Sequence, residues 1–391
     1  MIPKTLDNAP WLKLPEVQAI FALLDGASGV TRAVGGIVRD TLMGRLRPDT
    51  DIDMATELLP VTVMQRAKMA GIAVYPTGID HGTVTLRLND VSVEVTTLRT
   101  DVTTDGRHAE VAFGTDWAVD ASRRDFTFNA LYCGPDGTLF DPLDGAGDAV
   151  NSRVRFIGDP ERRIAEDGLR VYRFFRFSAS HGEEKLDPAG LAACQAAVGE
   201  LDHISAERVG QEMVRMLGLP RIALTVAVMA EIGLLGAERG AIKALLRYEM
   251  LGGRHTSTRL ALIGGNDVQA LQERWRLSNA LVDSAKSIGD AAALIEEDKL
   301  AWAVHRHKEN AVEGLAFAAA RGNWSRDRLA ETAREIARLP EAVFPVTGKD
   351  LLDYGYRAGP ELGAALTRLE ALWVESGFTL SQAQLLGYLA H

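Results

Sequence analysis

Cysteine is scarce in this chain. In 391 residues only Cys133 and Cys194 occur, far apart and without histidine-cysteine clusters around them. That pattern supports neither a disulfide framework nor a structural zinc site, and both residues are expected in or at the edge of a core. Long apolar runs are absent too: none reaches the ~18 residues needed to cross a bilayer. The opening Met-Ile-Pro-Lys-Thr-Leu-Asp-Asn has no charged-then-apolar leader pattern, so a cytoplasmic location is expected. Basic charge is in deficit, with a formal net charge of -10 and no long basic C-terminal tail, which argues against a general nucleic-acid binder. His305-Arg-His307 has the wrong spacing for two ligands on one helix face, and no His-Asp doublet occurs; a second metal-hydrolase centre is not supported. No repeat or low-complexity segment stands out.

What is present begins with length. A chain of 391 residues exceeds the ~250–300 at which one core stops growing, so two or more domains are expected. The positive charge is concentrated: Arg123, Arg124, Arg153, Arg155, Arg162, Arg163, Arg170, Arg173 and Arg176 fall in one span. A local basic surface there can hold RNA although the whole protein is acidic.

The organising stretch is Ala33-Val-Gly-Gly-Ile-Val-Arg-Asp40 followed by Asp51-Ile-Asp53. Val30 to Val34 reads as a short buried strand, Gly35-Gly36 breaks it, and Ile37 to Met43 reads as one or two helical turns. Glycines without a Cβ let a phosphate approach the backbone amides of the turn and of the helix start, and Arg39 adds a forked cation. If Thr50 to Ala55 is a strand, Asp51 and Asp53 share a face. Two adjacent carboxylates repel unless a cation lies between them, and Mg²⁺ suits such oxygen ligands while leaving positions for phosphate and water. A solvated turn is the alternative for an isolated Asp-x-Asp, and the glycine turn just upstream weighs against it.

Further along, Pro15 to Leu24 and Pro60 to Gly71 read as helices. Gly82 to Leu88 and Val91 to Leu98 alternate strictly about Asn89-Asp90, the pattern of a β-hairpin. Glu94 lies on the polar face of the second strand. It is either a third carboxylate beside Asp51 and Asp53, completing a two-metal arrangement, or an exposed strand glutamate. Thr100 to Gly114 is polar and reads as a mobile loop over the site, with Asp105-Gly-Arg-His108 at its middle. His108 is expected as a substrate contact or a solvated side chain. In Arg123 to Tyr132 the polar Arg124, Asp125 and Asn129 interleave with Phe126, Phe128 and Leu131, which suits ribose and phosphate recognition. The alternative is a helix end with a surface Arg-Arg pair.

From Asp159-Pro160 the chain turns helical. Glu166 to Phe177 reads as one amphipathic helix, with Val171, Phe174 and Phe175 inward and Asp167, Arg170, Arg173 and Arg176 along the other side. Those four offer donors and acceptors to base edges, or form a solvated face. Beyond it, helix-length patterns include Glu207 to Leu217, Ile222 to Ile232, Ala270 to Ile288 and Arg326 to Leu339. Trp275, Trp302, Trp324 and Trp373 are expected as core anchors.

Gly35-Gly36-x-x-Arg39-Asp40, Asp51-x-Asp53, Arg123-Arg124-Asp125 with Asn129, and Glu166-Asp167-x-x-Arg170-x-x-Arg173 stand in the order and rough spacing of the class II tRNA nucleotidyltransferases. The chain resembles the bacterial CCA-adding members of the CCA-adding/poly(A) polymerase family, specifically over residues 30 to 180 and architecturally beyond. The resemblance implies an α+β protein: an N-terminal nucleotidyltransferase head (1–150) with a mixed β-sheet flanked by helices, then an all-α neck (151–215) with the base-reading helix, and a tRNA-binding body and tail (216–391). It implies template-independent addition of CCA to the 3′ end of tRNA from CTP and ATP, by two-metal in-line transfer that releases pyrophosphate.

By the same likeness, Asp51 and Asp53 hold Mg²⁺ and are catalytic. Gly35, Gly36 and Arg39 border the triphosphate; Arg124 and Asp125, with Asn129, bind the ribose end. Asp167 and Arg170 pair with the base, supported by Arg173 and Arg176, and the Asp105–Arg107 loop is the flexible element that reshapes the pocket. Gly168 departs from the proline or alanine common at its position. A bacterial poly(A) polymerase, a CC-only or A-only relative, and a non-catalytic RNA-binding protein on a nucleotidyltransferase head are the other readings.

Overall fold

Strands and helices of the N-terminal half follow the change of hydrophobic period along the chain. A computed structural model describes residues 3–389 apart from 7, 106–107, 266 and 341, with the backbone alone for 100–105 and 108–111. Contacts divide the chain into two units, Met1–Ser205 with Ile232–Leu234, and Ala206–Glu231 with Leu235–His391.

In the first unit, helix α1 (Pro15–Leu23) precedes strand β1 (Thr31–Val34), helix α2 (Gly36–Leu42), strand β2 (Ile52–Thr56), helix α3 (Pro60–Met69) and strands β3 (Ala73–Gly78), β4 (Thr83–Leu88) and β5 (Val91–Thr97). A hairpin of β6 (Arg99–Asp105) and β7 (His108–Phe113) follows, then helix α4 (Trp117–Ser122), a 3₁₀ turn (Thr127–Asn129), strands β8 (Tyr132–Cys133) and β9 (Leu139–Phe140), and helices α5 (Gly145–Val150), α6 (Pro160–Glu166) and α7 (Leu169–Ser180). Seven strands form one sheet in the order β3-β4-β5-β2-β1-β8-β9. It is mixed: β2 and β5 run parallel, and the other pairs are antiparallel. The alternation in β4 and β5 puts Val84, Leu86, Val93 and Val95 in the core, and Asn89 takes the positive φ of 52° that a tight hairpin turn requires. Cys133 and Cys194 are buried and free.

Several expectations need correction. The 100–114 stretch is not a loop: β6 pairs with β7 as a two-stranded ribbon. Such a ribbon forms through backbone pairing and does not require the apolar alternation by which strands are read. Gly106 and Arg107 lie outside the described residues, and His108 opens β7. Strand β3, unforeseen, is an exposed edge strand with an irregular register and a proline, Pro76, which edge strands tolerate. The Glu166–Phe177 helix is broken, because Asp167 is extended at φ -154° and ψ 103° between α6 and α7. Gly168 follows it, where a Cβ would meet Ile204 Cδ1 and Leu201 Cδ2 at 2.8 and 3.0 Å.

The second unit is all helical among its described residues, from Ala206–Leu217 to Gln382–Gly387. The 270–288 pattern is two helices, Val268–Trp275 and Asn279–Glu296, separated at a left-handed Arg276 and restarted by the Ser278 cap. Trp275 and Trp373 are buried, whereas Trp302 and Trp324 are half-buried. Among the described residues no helix is long and apolar enough to cross a membrane.

One glycine shapes the site directly. A Cβ at Gly145 would run into the backbone carbonyl of Thr127, so α5 packs against the 3₁₀ turn only with hydrogen there. Gly145→Ala is expected to lose about 1–3 kcal/mol by overpacking against backbone, measured as a lower urea midpoint; an unchanged midpoint would contradict this contact.

Candidate active site

The register of the parallel pair sets the first feature. Asp53 on β2 lies directly beside Glu94 on β5, so both project from the same face of the sheet. Asp51 precedes β2 by one residue, a correction to the Thr50–Ala55 strand, and is exposed; Asp53 is half-buried and Glu94 exposed. Burial, with the charges of Glu94 and then Asp51, pushes the Asp53 carboxyl up to about 6, against the opposing pull of Arg124. Carboxylate oxygens at this partly desolvated position are the ligand type that a hard divalent cation takes. Among the described residues no three His, Cys, Asp or Glu side chains form a cation cage by themselves.

The glycine turn adjoins these carboxylates. Gly35 adopts φ 74°, a left-handed value that favours glycine, and its N–H donates to Leu131 O at 3.0 Å. A Cβ at Gly35 would lie 3.8 Å from Arg124 Nη1 and from Asn129 O, and one at Gly36 would lie 3.8 Å from Arg39 Nη2. Arg124 is held by Asp120 at 3.1 Å. The other oxygen of Asp120 accepts from Arg123 at 2.7 Å, and the Tyr132 hydroxyl donates to Asp120 Oδ2 at 2.9 Å. Although burial favours the acid, the Arg124 and Arg123 guanidiniums hold Asp120 below its ordinary range.

A second polar cluster joins α7 to the turn. Arg173 Nε donates to Asp125 Oδ2 at 2.8 Å, and Asn129 Nδ2 and the Phe126 N–H donate to Asp125 Oδ1 at 2.9 and 2.8 Å. Arg39 Nη1 donates to Asn129 Oδ1 at 2.6 Å and its Nε to Asp40 Oδ1 at 2.7 Å. Burial opposes ionisation of Asp125, but the Arg173 charge and the Asn129 hydrogen bond bring its carboxyl below the usual value.

The expected site residues thus gather in one unit. Arg39, Asp125 and Asn129 are buried and linked through Asn129, which accepts from Arg39 and donates to Asp125. Asp167 is the extended link between α6 and α7, and its Oδ1 accepts the Leu169 N–H at 3.2 Å. Arg170 donates to Glu166 Oε2 at 2.8 Å and to the backbone oxygens of Arg163 and Arg123 at 2.8 and 3.1 Å. Arg176 lies 4.0 Å from the centre of the Phe177 ring. The four are not an exposed ridge: Asp167, Arg170, Arg173 and Arg176 are all half-buried.

Asp120 was missed by reading motifs, although its i,i+3 and i,i+4 spacing to Arg123 and Arg124 on a helix end is a legible signal. Removing it strands two guanidiniums and a phenol. Asp120→Ala should lose on the order of 3 kcal/mol in chemical denaturation, and a loss within error of zero would mean that Arg124 is held by something else.

The family described as "Poly A polymerase head domain" matches residues 31–155, and that described as "Probable RNA and SrmB- binding site of polymerase A" matches residues 185–237. CCA tRNA nucleotidyltransferase 1, mitochondrial, of Danio rerio is 32% identical over 97% of this chain and 93% of its own length. The CCA-adding enzyme of Geobacillus stearothermophilus is 33% identical over 87% of each. The crystal structure of the Bacillus stearothermophilus CCA-adding enzyme in complex with CTP matches with a TM-score of 0.76 at 30% identity, over 93% of this chain and 94% of that one. The chain belongs to the class II CCA-adding enzymes of the CCA-adding/poly(A) polymerase family.

Proposed function

We propose that this protein adds CCA to the 3′ end of tRNA, without a nucleic-acid template, from CTP and ATP. The observation that carries this reading is the Asp51, Asp53 and Glu94 carboxylates set beside a glycine turn lined by Arg124 and Arg39. In each cycle the 3′-hydroxyl oxygen attacks the α-phosphorus in line, a new phosphodiester forms, and pyrophosphate leaves.

Asp51 and Asp53 would hold the divalent ion that such nucleotidyltransferases use, Mg²⁺ on our reading, with Glu94 as a neighbouring acceptor. Bound there, Mg²⁺ supplies charge neutralisation at the triphosphate and polarises the attacking hydroxyl. The chain's own residues do the placing. Gly35 and Gly36 open the backbone to the triphosphate, and Arg124 presents a guanidinium fixed by Asp120. Asp125 and Asn129 set the ribose end, buttressed by Arg39 and Arg173. Asp167 and Arg170 read the base edge, with Arg173 and Arg176 behind them; the Glu166–Arg170 pair sets the angle at the α6–α7 break. Catalysis on this reading is placement plus electrostatic stabilisation, with no covalent nucleophile.

We assign residues 1–150 to the head, 151–215 to the neck and 216–391 to a tRNA-binding body and tail. The β6–β7 ribbon, with Asp105 at its described tip, is the element that reshapes the pocket between C and A addition. Two buried free cysteines suit a reducing compartment such as the cytoplasm.

Purified protein incubated with tRNA lacking its 3′ end and with labelled CTP, ATP or both tests the assignment. Addition of two C and one A is expected; unbounded A addition would indicate a poly(A) polymerase instead. Asp53→Ala should abolish incorporation, a loss of more than about a thousandfold, while tRNA binding measured by filter retention persists. Unaltered turnover in that variant would place the metal elsewhere. Arg170→Ala should relax discrimination against UTP and GTP by about tenfold, and an equal loss for all four nucleotides would count against base reading.

A further inference from the structure

One polar contact has no counterpart in the nucleotide site as described. Immediately after α7, His181 Nε2 lies 3.0 Å from Asp40 Oδ1, on α2. The ring is largely buried and packs against Phe128 and Phe177 with centroids 5.7 and 5.6 Å away. Its other nitrogen, Nδ1, lies 2.6 Å from Ser180 Oγ. Burial lowers the imidazole's affinity for a proton below its ordinary value, outweighing the Asp40 hydrogen bond. Hydrogen bonds from His181 and Arg39 overcome the burial of Asp40 and bring its carboxyl to about 2. A neutral ring beside an ionised carboxylate has one consistent arrangement: Nε2–H donates to Asp40, and Nδ1 accepts from the Ser180 hydroxyl.

This bond closes a ring of side chains. Arg173 on α7 bonds Asp125, Asp125 bonds Asn129, Asn129 bonds Arg39, Arg39 bonds Asp40, and Asp40 bonds His181, which α7 leads back to Arg173. Arg45, just beyond α2, adds a second tie at the same end by donating from Nη1 to Ser180 O at 2.9 Å. Helix α7 is therefore held at its middle by the ribose-side segment and at its C-terminal end by the helix that springs from the glycine turn. We propose that His181 is a positioning residue for nucleotide selection, clamping the far end of α7 to Asp40 so that Asp167 and Arg170 meet the base at a fixed distance from the triphosphate turn. The clamp rests on the base-reading role proposed above for α7.

A ring replacement separates this role from packing. His181→Phe keeps the contacts with Phe128 and Phe177 and removes the donor, whereas His181→Gln retains an N–H within reach of Asp40. Single-nucleotide incorporation on tRNA is measured for CTP, ATP, UTP and GTP, together with inhibition by inorganic tripolyphosphate and the thermal midpoint. The expected result for His181→Phe is a rise in KM for CTP and ATP and a loss of discrimination against UTP and GTP on the order of tenfold. Tripolyphosphate inhibition should stay the same, and His181→Gln should restore selection.

A folded His181→Phe protein with wild-type discrimination overturns the proposal, as does a proportional loss for all four nucleotides that follows the thermal midpoint. If His181→Phe does not fold, Asp40→Asn weakens the same bond at constant volume and is read by the same ratios. A wild type that incorporates no nucleotide overturns the activity and the clamp together; an active wild type with insensitive variants overturns the clamp alone.

Discussion

Like charges crowded on one face of the two central strands are the constraint around which the head is arranged. The parallel pairing of β2 with β5 puts Asp53 beside Glu94, and Asp51 stands next to them. Burial and the two neighbouring carboxylates raise the proton affinity of Asp53, which is favoured as an anion where positive charge is supplied. Arg124 provides part of it from the chain, and a divalent cation with a triphosphate supplies the rest in our account. A sheet interior built from valine and leucine fixes the register, since a one-residue slip would turn Asp53 to the opposite face.

Holding the positive charge in place takes a second layer of acids. Asp120 grips Arg123 and Arg124, Asp125 grips Arg173, and Asp40 grips Arg39. Ion pairs taken out of water gain little net stability, because desolvation offsets most of the attraction. Their effect here is geometric: each arginine keeps one orientation, and the arrangement of α2, the 127–129 turn and α7 is specified by directional bonds. The second unit has a comparable device. Arg259, fully buried, donates to the carbonyls of Leu217, Leu219 and Pro220 and faces Glu249 at 3.2 Å, where helix ends leave carbonyl groups to be satisfied.

Much of the head was legible because its signals are local. Gly35-Gly36 and the Asn89-Asp90 hairpin each act through a few neighbouring residues and the structure keeps both, while Asp53 lies on β2 with Asp51 just before it. What escaped depends on partners far along the chain. The Arg39–Asn129 bond joins residues 90 apart in the chain. The Asp40–His181 bond spans 141 residues and leaves no periodicity to read. The break at Asp167 hides inside a helical pattern, because Gly168 packs on Leu201 and Ile204, more than 30 residues further along the chain. The β6–β7 ribbon escaped for the opposite reason: its polar composition matches that of a loop, and backbone pairing has no compositional signature of its own.

The most direct measurement is anomalous scattering from a crystal grown with CTP and Mn²⁺. A peak within coordination distance of both Asp51 and Asp53 is expected, with triphosphate oxygens on its far side and the glycine turn behind them. Bound CTP with no cation at those carboxylates, or a peak lying only elsewhere, would contradict this placement.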